Sequence, residues 1–228
     1  MKSNSKIDKW LRWLKELDIG IYELLYSKYL YNEVRQIIQS NPKIQTDGYF
    51  YEWLSIAYSK SASINVRKMI DTRSDVISLG RLLTEIIYNP DVINFERFES
   101  YSTADYDGKN EVELMFLESR KKQARKEYEE FSGDCFPNID PQIVRHDLDS
   151  LKSKCEPIKK YVDKLVAHRD KSIFRNIPTY NDLDNAIESI YVYYKKYTHL
   201  IRGIPYDIDI IPQWNWREIF THPWIDNI

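Results

Sequence analysis

The sequence has little glycine, proline and cysteine for its length. Its 228 residues include 6 Gly, 9 Pro and 2 Cys, whereas average usage would give about 16 Gly in a chain of this size. So few glycines argue against a sandwich, a barrel or a Rossmann-type chain, because those folds need many left-handed turns. The composition instead favours an all-α protein with few and short connections.

Long apolar runs and an excess of charge of one sign are also lacking. No run of about 18 apolar residues occurs, and the polar start lacks the apolar stretch of a signal peptide. We therefore expect a cytoplasmic protein with no membrane partner. Because 33 Lys and Arg oppose 35 Asp and Glu, for a formal net charge of -2, any binding of nucleic acid must depend on a local patch.

The two cysteines do not form a recognisable metal or redox motif. Cys135 and Cys155 have no Cys-x-x-Cys pair and no Cys/His ligand spacing around them. Reduced thiols are therefore expected, and neither a metal site nor a cofactor is predicted.

The sparse glycines and prolines separate segments of helical length. Apolar residues from Ile7 to Leu17 repeat at helical spacing, which predicts a first helix that ends near Gly20 and a second that reaches about Ser40. Three more helices are predicted over 49–71, from a cap at Ser74 to Asn89, and from Asn110 to Phe131. The polar stretch from Phe95 to Lys109 is predicted to be an exposed loop.

Two or three further helices are predicted in the C-terminal half. Asp140 and Pro141 form a cap followed by a proline at the first helical position, and Pro157 must either kink that helix or start a new one. Thr179 and Asp182 resemble the capping box of a long helix that carries an apolar face as far as Ile201.

His168 has the most favourable setting for chemistry among the four histidines. It lies at the margin of a predicted apolar helical stripe, with Lys164, Arg169 and Asp170 near it. A half-buried histidine beside charges can titrate near neutrality, and a neighbouring cation can hold a phosphate. The alternative is a packed or capping histidine. The remaining three, His146, His199 and His222, are predicted to be structural or exposed.

A second basic feature is the cluster Arg120–Lys126, with five cations in seven residues. Glutamates surround it along the same helix, which predicts a solvated face whose charges compensate one another.

Four stretches of the chain resemble a known family. The segment VDKLVAHRD, the later PTYNDLDNAIESIYVYYKKYTHLI with the tail WREIFTHPWI, and the upstream RKMIDTRSDVISLGRLLTEI are similar to the abortive-infection U branch of the HEPN superfamily. The last stretch has the Asp in a short turn and the Ser-Leu helix start of that branch. The resemblance covers the chain from about Tyr49 onward.

The resemblance implies an all-α HEPN-like helical bundle with additional N-terminal helices. We accordingly expect one domain over 1–228, made of N-terminal helices (1–45), the bundle (46–202) and a Trp- and Pro-rich tail (203–228). It further implies a protein of a prokaryotic phage-defence or toxin–antitoxin system, a homodimer with facing sites, RNA as a partner, and an antitoxin or other protein partner.

The resemblance also implies a site for metal-independent RNA cleavage. His168 matches the motif histidine and Asp163 matches the polar residue, which makes them the candidate catalytic pair, with Lys164, Arg169 and Asp170 as candidate substrate-binding residues. Val162 stands where the motif has Arg. The alternative is therefore a catalytically degraded HEPN module that acts in dimerisation or protein interaction, and a third possibility is an unrelated helical bundle.

Overall fold

A computed structural model describes residues 2–45, 48–106, 108–166, 177–210 and 214–222. Throughout these ranges the regular structure is helical, and no strand occurs. The described ranges contain seven α-helices, which are α1 (Lys2–Ser40), α2 (Tyr49–Met69), α3 (Leu79–Ile87), α4 (Phe95–Ser102), α5 (Glu111–Ser132), α6 (Pro141–Tyr161) and α7 (Tyr180–Arg202). A π-helical turn, Val162–Val166, follows α6, and short 3₁₀ turns occupy Pro42–Ile44, Gly133–Cys135 and Trp216–Phe220.

Helix α1 is continuous, so the prediction of two N-terminal helices separated near Gly20 was wrong. Glycine inside a helix costs about 1 kcal/mol relative to alanine, and here a tertiary contact accounts for it. A Cβ on Gly20 would lie 2.6 Å from Cε of Met69 at the end of α2. The glycine therefore lets α1 and α2 approach closely.

The centre of the fold is formed by α3, α6 and α7, and α6 packs against both other helices. Helix α7 begins at a capping box in which Thr179 and Asp182 bond each other's backbone, as predicted, and it ends at Gly203 in the left-handed conformation. Two-thirds of α3 is buried, and its cap is Ser78, which accepts a hydrogen bond from the backbone N–H of Arg81 at 2.9 Å. The predicted cap at Ser74 was thus four residues too early.

A short helix occupies part of the predicted loop. Asn94 caps α4 by accepting from the backbone N–H of Arg97 at 3.0 Å. Phe98 of this helix is fully buried and packs against Tyr128 of α5, with ring centroids 5.5 Å apart. This buried aromatic residue fixes α4 on the core. The overall polarity of the segment concealed the helix from sequence analysis.

Pro157 does not begin a helix, because α6 runs through it from Pro141 to Tyr161. Asp140 caps α6 by accepting from the backbone N–H of Gln142 at 2.8 Å, which confirms the predicted start. At its C-terminal end α6 passes into the π-helical turn Val162–Val166, and this turn packs against α2. The fold thereby places Asp163 beside the last turns of α2.

None of the helices in the described ranges has a stretch both long and apolar enough to cross a lipid bilayer.

Candidate functional site

The site is built around the π-helical turn that carries Asp163. Val162, directly before it, is 4% exposed and lies in the core. Asp163 is half-buried at the surface of the same turn. The two neighbours therefore point to different environments, and the core position is the one where the family motif has arginine.

An arginine from α2 reaches Asp163 across the helix interface. Arg67 Nε donates to Asp163 Oδ1 at 3.1 Å, and Arg67 Nη1 donates to Asp71 Oδ2 at 2.6 Å. The pair Arg67 and Asp71 is separated by four residues, the spacing at which helical side chains meet. Two carboxylates thus fix the plane of one guanidinium from two sides.

The turn after α2 holds Asp71 in position. Its carboxylate accepts from the backbone N–H of Arg73 at 3.0 Å and from Arg73 Nε at 3.1 Å. Its backbone carbonyl accepts from the hydroxyl of Ser78, the cap of α3. Gly80 allows this close approach, because a Cβ there would lie 2.6 Å from the carbonyl oxygen of Ile70.

A groove opens beside Arg67, with a volume of about 280 Å³. We call it the Arg67 groove, and its lining residues are Arg67, Ile70, Asp71, Thr72, Lys152, Glu156 and Lys159. Lys159 connects the groove with the π-helical turn, since its Nζ lies 3.2 Å from Asp163 Oδ2. Cations from α2 and α6 therefore converge on the Asp163 carboxylate.

Interactions within the cluster favour the ionised forms of Asp163, Asp71 and Arg67. Partial burial acts to raise the pKa of Asp163, but hydrogen bonds from Arg67 and Lys159 outweigh it and lower that pKa below its ordinary value. Burial likewise opposes ionisation of Asp71, and donors on Arg73 and Arg67 lower its pKa. Hydrogen bonds to Asp71 and Asp163 raise the pKa of Arg67. At neutral pH the cluster consists of carboxylates and a guanidinium.

The predicted site residues divide into two groups. Asp163 lies in the cluster, and Lys164 is exposed on the same π-helical turn. His168, Arg169 and Asp170 lie outside the described residues. Sequence reasoning missed Arg67, Asp71 and Lys159. The first two could have been found, because they have i, i+4 spacing within the upstream stretch that resembles the family.

Two of the five cations of the basic cluster on α5, Arg120 and Arg125, pair with glutamates of the same helix, in line with the predicted compensation. Arg120 Nη2 lies 3.0 Å from Glu127 Oε2, and Arg125 Nε lies 2.9 Å from Glu129 Oε1. His199 Nε2 lies 3.2 Å from the same Glu127 oxygen, and burial lowers the pKa of His199 although Glu127 opposes this. The contact between His199 and Glu127 joins α7 to α5.

His146 and His222 are exposed, as predicted. Cys135 and Cys155 are free thiols. Within the part of the chain that the structure describes, no three His, Cys, Asp or Glu side chains are grouped so as to hold a metal ion.

Comparison with known proteins identifies the family. No match was found among the curated proteins or among the solved structures. The sequence model of the HEPN AbiU2 family matches residues 7–218, so the match includes α1, which the motifs alone had not identified as part of the resemblance. It covers most of α1 and all of α2 to α7, and it includes the helix that carries Arg67 and the turn that carries Asp163. The chain therefore belongs to the AbiU2 family of HEPN proteins, a branch of the abortive-infection type.

Proposed function

We propose that the chain acts on RNA in the cytoplasm of a prokaryote, as a metal-independent endoribonuclease or RNA-binding module of a defence or toxin–antitoxin system. The observation that carries the proposal is the position of Asp163. This motif residue borders a groove in which Arg67, Lys152 and Lys159 offer cations to an RNA phosphate. Family membership supplies the connection to abortive infection.

The proposed reaction needs a base and a phosphate-binding cation, and the chain provides residues for both. His168 takes the proton of a ribose 2′-hydroxyl, whose oxygen then bonds to the adjacent phosphorus. The bond from phosphorus to the 5′ oxygen breaks, and that oxygen takes a proton from the protonated His168 or from water and leaves as a hydroxyl. The products are a 2′,3′-cyclic phosphate and a free 5′-hydroxyl. Donors that bind the phosphate oxygens stabilise the charge of the intermediate.

The test is cleavage of total RNA in EDTA by the wild type and by His168→Ala. We expect the wild type to cleave and the variant to lose activity by about 10² to 10⁴, the usual contribution of a general base. His146→Ala, an exposed histidine on α6, is the matched control and should retain activity. Mapping of the fragment ends should find cyclic phosphates and 5′-hydroxyls. The result contradicts the nuclease proposal if the wild type cleaves no RNA and His168→Ala leaves cellular toxicity unchanged.

The second candidate function is a degraded HEPN module that works by dimerisation or by binding an antitoxin or other protein. Val162 favours it, because the motif arginine is replaced by a side chain that is packed in the core. An inactive wild type that elutes as a dimer, at twice 27.4 kDa, would support this function. A cleaving wild type would instead support the nuclease.

A further inference from the structure

The buried state of Val162 raises the question of which side chain contacts the RNA phosphate. No arginine stands at Tyr161, Val162 or Asp163, and the position of Val162 faces the core. An arginine placed there would have to leave the core to reach a site at the surface. An arginine that binds the phosphate beside Asp163 must therefore come from another part of the chain than these motif positions.

Arg67 has the right position to supply it. It comes from α2, 96 residues before Asp163 in the sequence, and it binds the motif carboxylate directly. Its side chain is 32% exposed and lines the Arg67 groove. An arginine has five N–H donors, and the bonds to Asp71 and Asp163 use Nη1 and Nε. Neither of those two bonds uses Nη2.

The two carboxylates orient the guanidinium at little further entropic cost to a ligand. A planar fork that is already fixed loses less side-chain freedom when it binds phosphate. Their negative charge does not make the site anionic, because Lys152 and Lys159 line the same groove and Arg73 pairs with Asp71. Four cations thus surround the carboxylates of Asp71, Asp163 and Glu156.

We propose that Arg67 takes the place of the motif arginine and binds the reacting phosphate of RNA in the Arg67 groove. This inference rests on the proposed function, since it names the cation for that same site. It assigns to α2 a role that the motif segment performs by itself in the general HEPN pattern. The substrate class is a ribose–phosphate backbone, with no base contact needed for the step.

The experiment compares Arg67→Ala and Arg67→Lys with the wild type. Two readouts are used, cleavage of an RNA oligonucleotide and anisotropy binding of the same oligonucleotide carrying 2′-O-methyl groups, which cannot be cleaved. Removing a phosphate donor should lower the cleavage rate by about 10² to 10³ and weaken binding about tenfold. Arg67→Lys keeps the charge without the fork, so binding should recover more than cleavage.

Arg125→Ala is the matched control, because Arg125 also pairs with an acidic residue four positions away and lies on α5, outside the groove. A thermal melt of each variant shows whether it is folded. If Arg67→Ala is not folded, the comparison with the wild type uses Arg67→Lys. Wild-type activity together with Arg67 variants that behave like Arg125→Ala would overturn the inference and leave the proposed function standing. A wild type that neither binds nor cleaves RNA would overturn the proposed function itself.

Discussion

At the scale of single residues, Asp71 and Asp163 both hold one side chain in position. Each holds the guanidinium of Arg67, and Asp71 is the more buried, with 8% of its side chain exposed. Asp71 also closes the turn after α2 through the backbone of Arg73. The pH dependence of unfolding can therefore measure what the Asp71 carboxylate contributes to stability.

The first residue-scale prediction concerns the acid dependence of stability. The folded-state pKa of Asp71 is lowered from its ordinary 3.8, so its ionised form stabilises the folded state above that pH. This stabilisation is lost as the pH falls through the lower folded-state pKa. Asp71→Asn should therefore cost about 1 to 3 kcal/mol at neutral pH and should lose less further stability than the wild type in acid.

Thermal melts by circular dichroism at neutral pH and below pH 3.8 measure this difference. The exposed Asp209 gives the control variant Asp209→Asn, which should follow the wild type at each pH. If Asp71→Asn and the wild type lose the same stability in acid, the carboxylate of Asp71 is not the group that titrates.

The candidate site shows what sequence can and cannot predict about single residues. Asp163 was identified as a candidate because a local motif carries it. Arg67 was not, because its bond to Asp163 spans 96 residues, and only the packing of α2 against the π-helical turn brings the two together. The sequence shows only the local pair Arg67 and Asp71. This pair does not indicate a site until the packing of α2 against the turn is known.

At the scale of elements, two glycines determine how helices approach the site. A Cβ on Gly80 would collide with backbone atoms, the carbonyl carbon and oxygen of Ile70, at 2.8 and 2.6 Å. A Cβ on Gly20 would instead meet Cε of Met69, the end of a flexible side chain. Neither glycine has a positive φ. The effect of an alanine at either position therefore depends on the space for its Cβ and not on backbone conformation.

We predict that Gly80→Ala destabilises the protein by about 1 to 3 kcal/mol, the usual cost of overpacking. The higher helix propensity of alanine, about 1 kcal/mol, does not offset a backbone collision. Gly20→Ala should cost less, because the methionine can move. Denaturant midpoints measure both variants, and equal midpoints would contradict the prediction. Because Gly80 supports the turn of Asp71, Gly80→Ala should also reduce RNA cleavage.

Helices with strong local signals were predictable, and those fixed by tertiary contacts were not. The start of α7 at its capping box and the start of α6 at Asp140 follow from side chains next to the helix end. The continuity of α1 through Gly20 and the helix around Phe98 depend on partners far away in sequence, Met69 and Tyr128. Local propensity is a weak guide wherever such contacts decide.

At the scale of the whole molecule, the formal net charge of -2 limits how RNA can be bound. A chain with a strongly basic surface would attract the backbone over a long distance and through many phosphates. Here Glu127 and Glu129 compensate Arg120 and Arg125 of the basic cluster on α5. If the chain binds RNA as proposed, we expect the binding to depend on a few cations in the Arg67 groove.

This limit gives a quantitative prediction for the effect of salt. Each phosphate neutralised on a single strand contributes about -0.7 to the slope of log affinity against log salt concentration. If Arg67, Lys152 and Lys159 each meet one phosphate, the slope for the 2′-O-methyl oligonucleotide should be about -2. Arg67→Ala should make it shallower by about 0.7.

Anisotropy titrations over a range of salt concentrations measure the slope, and Lys122→Ala on the exposed part of the α5 cluster is the control. Because Lys122 lies outside the Arg67 groove, its loss should leave the slope unchanged. A wild-type slope twice as steep, together with a reduced slope for Lys122→Ala, would assign binding to the α5 surface and contradict a groove-limited contact. A shallow slope that depends on Arg67 and not on Lys122 would mean that a nearly neutral protein binds a polyanion through one oriented guanidinium and its neighbouring lysines.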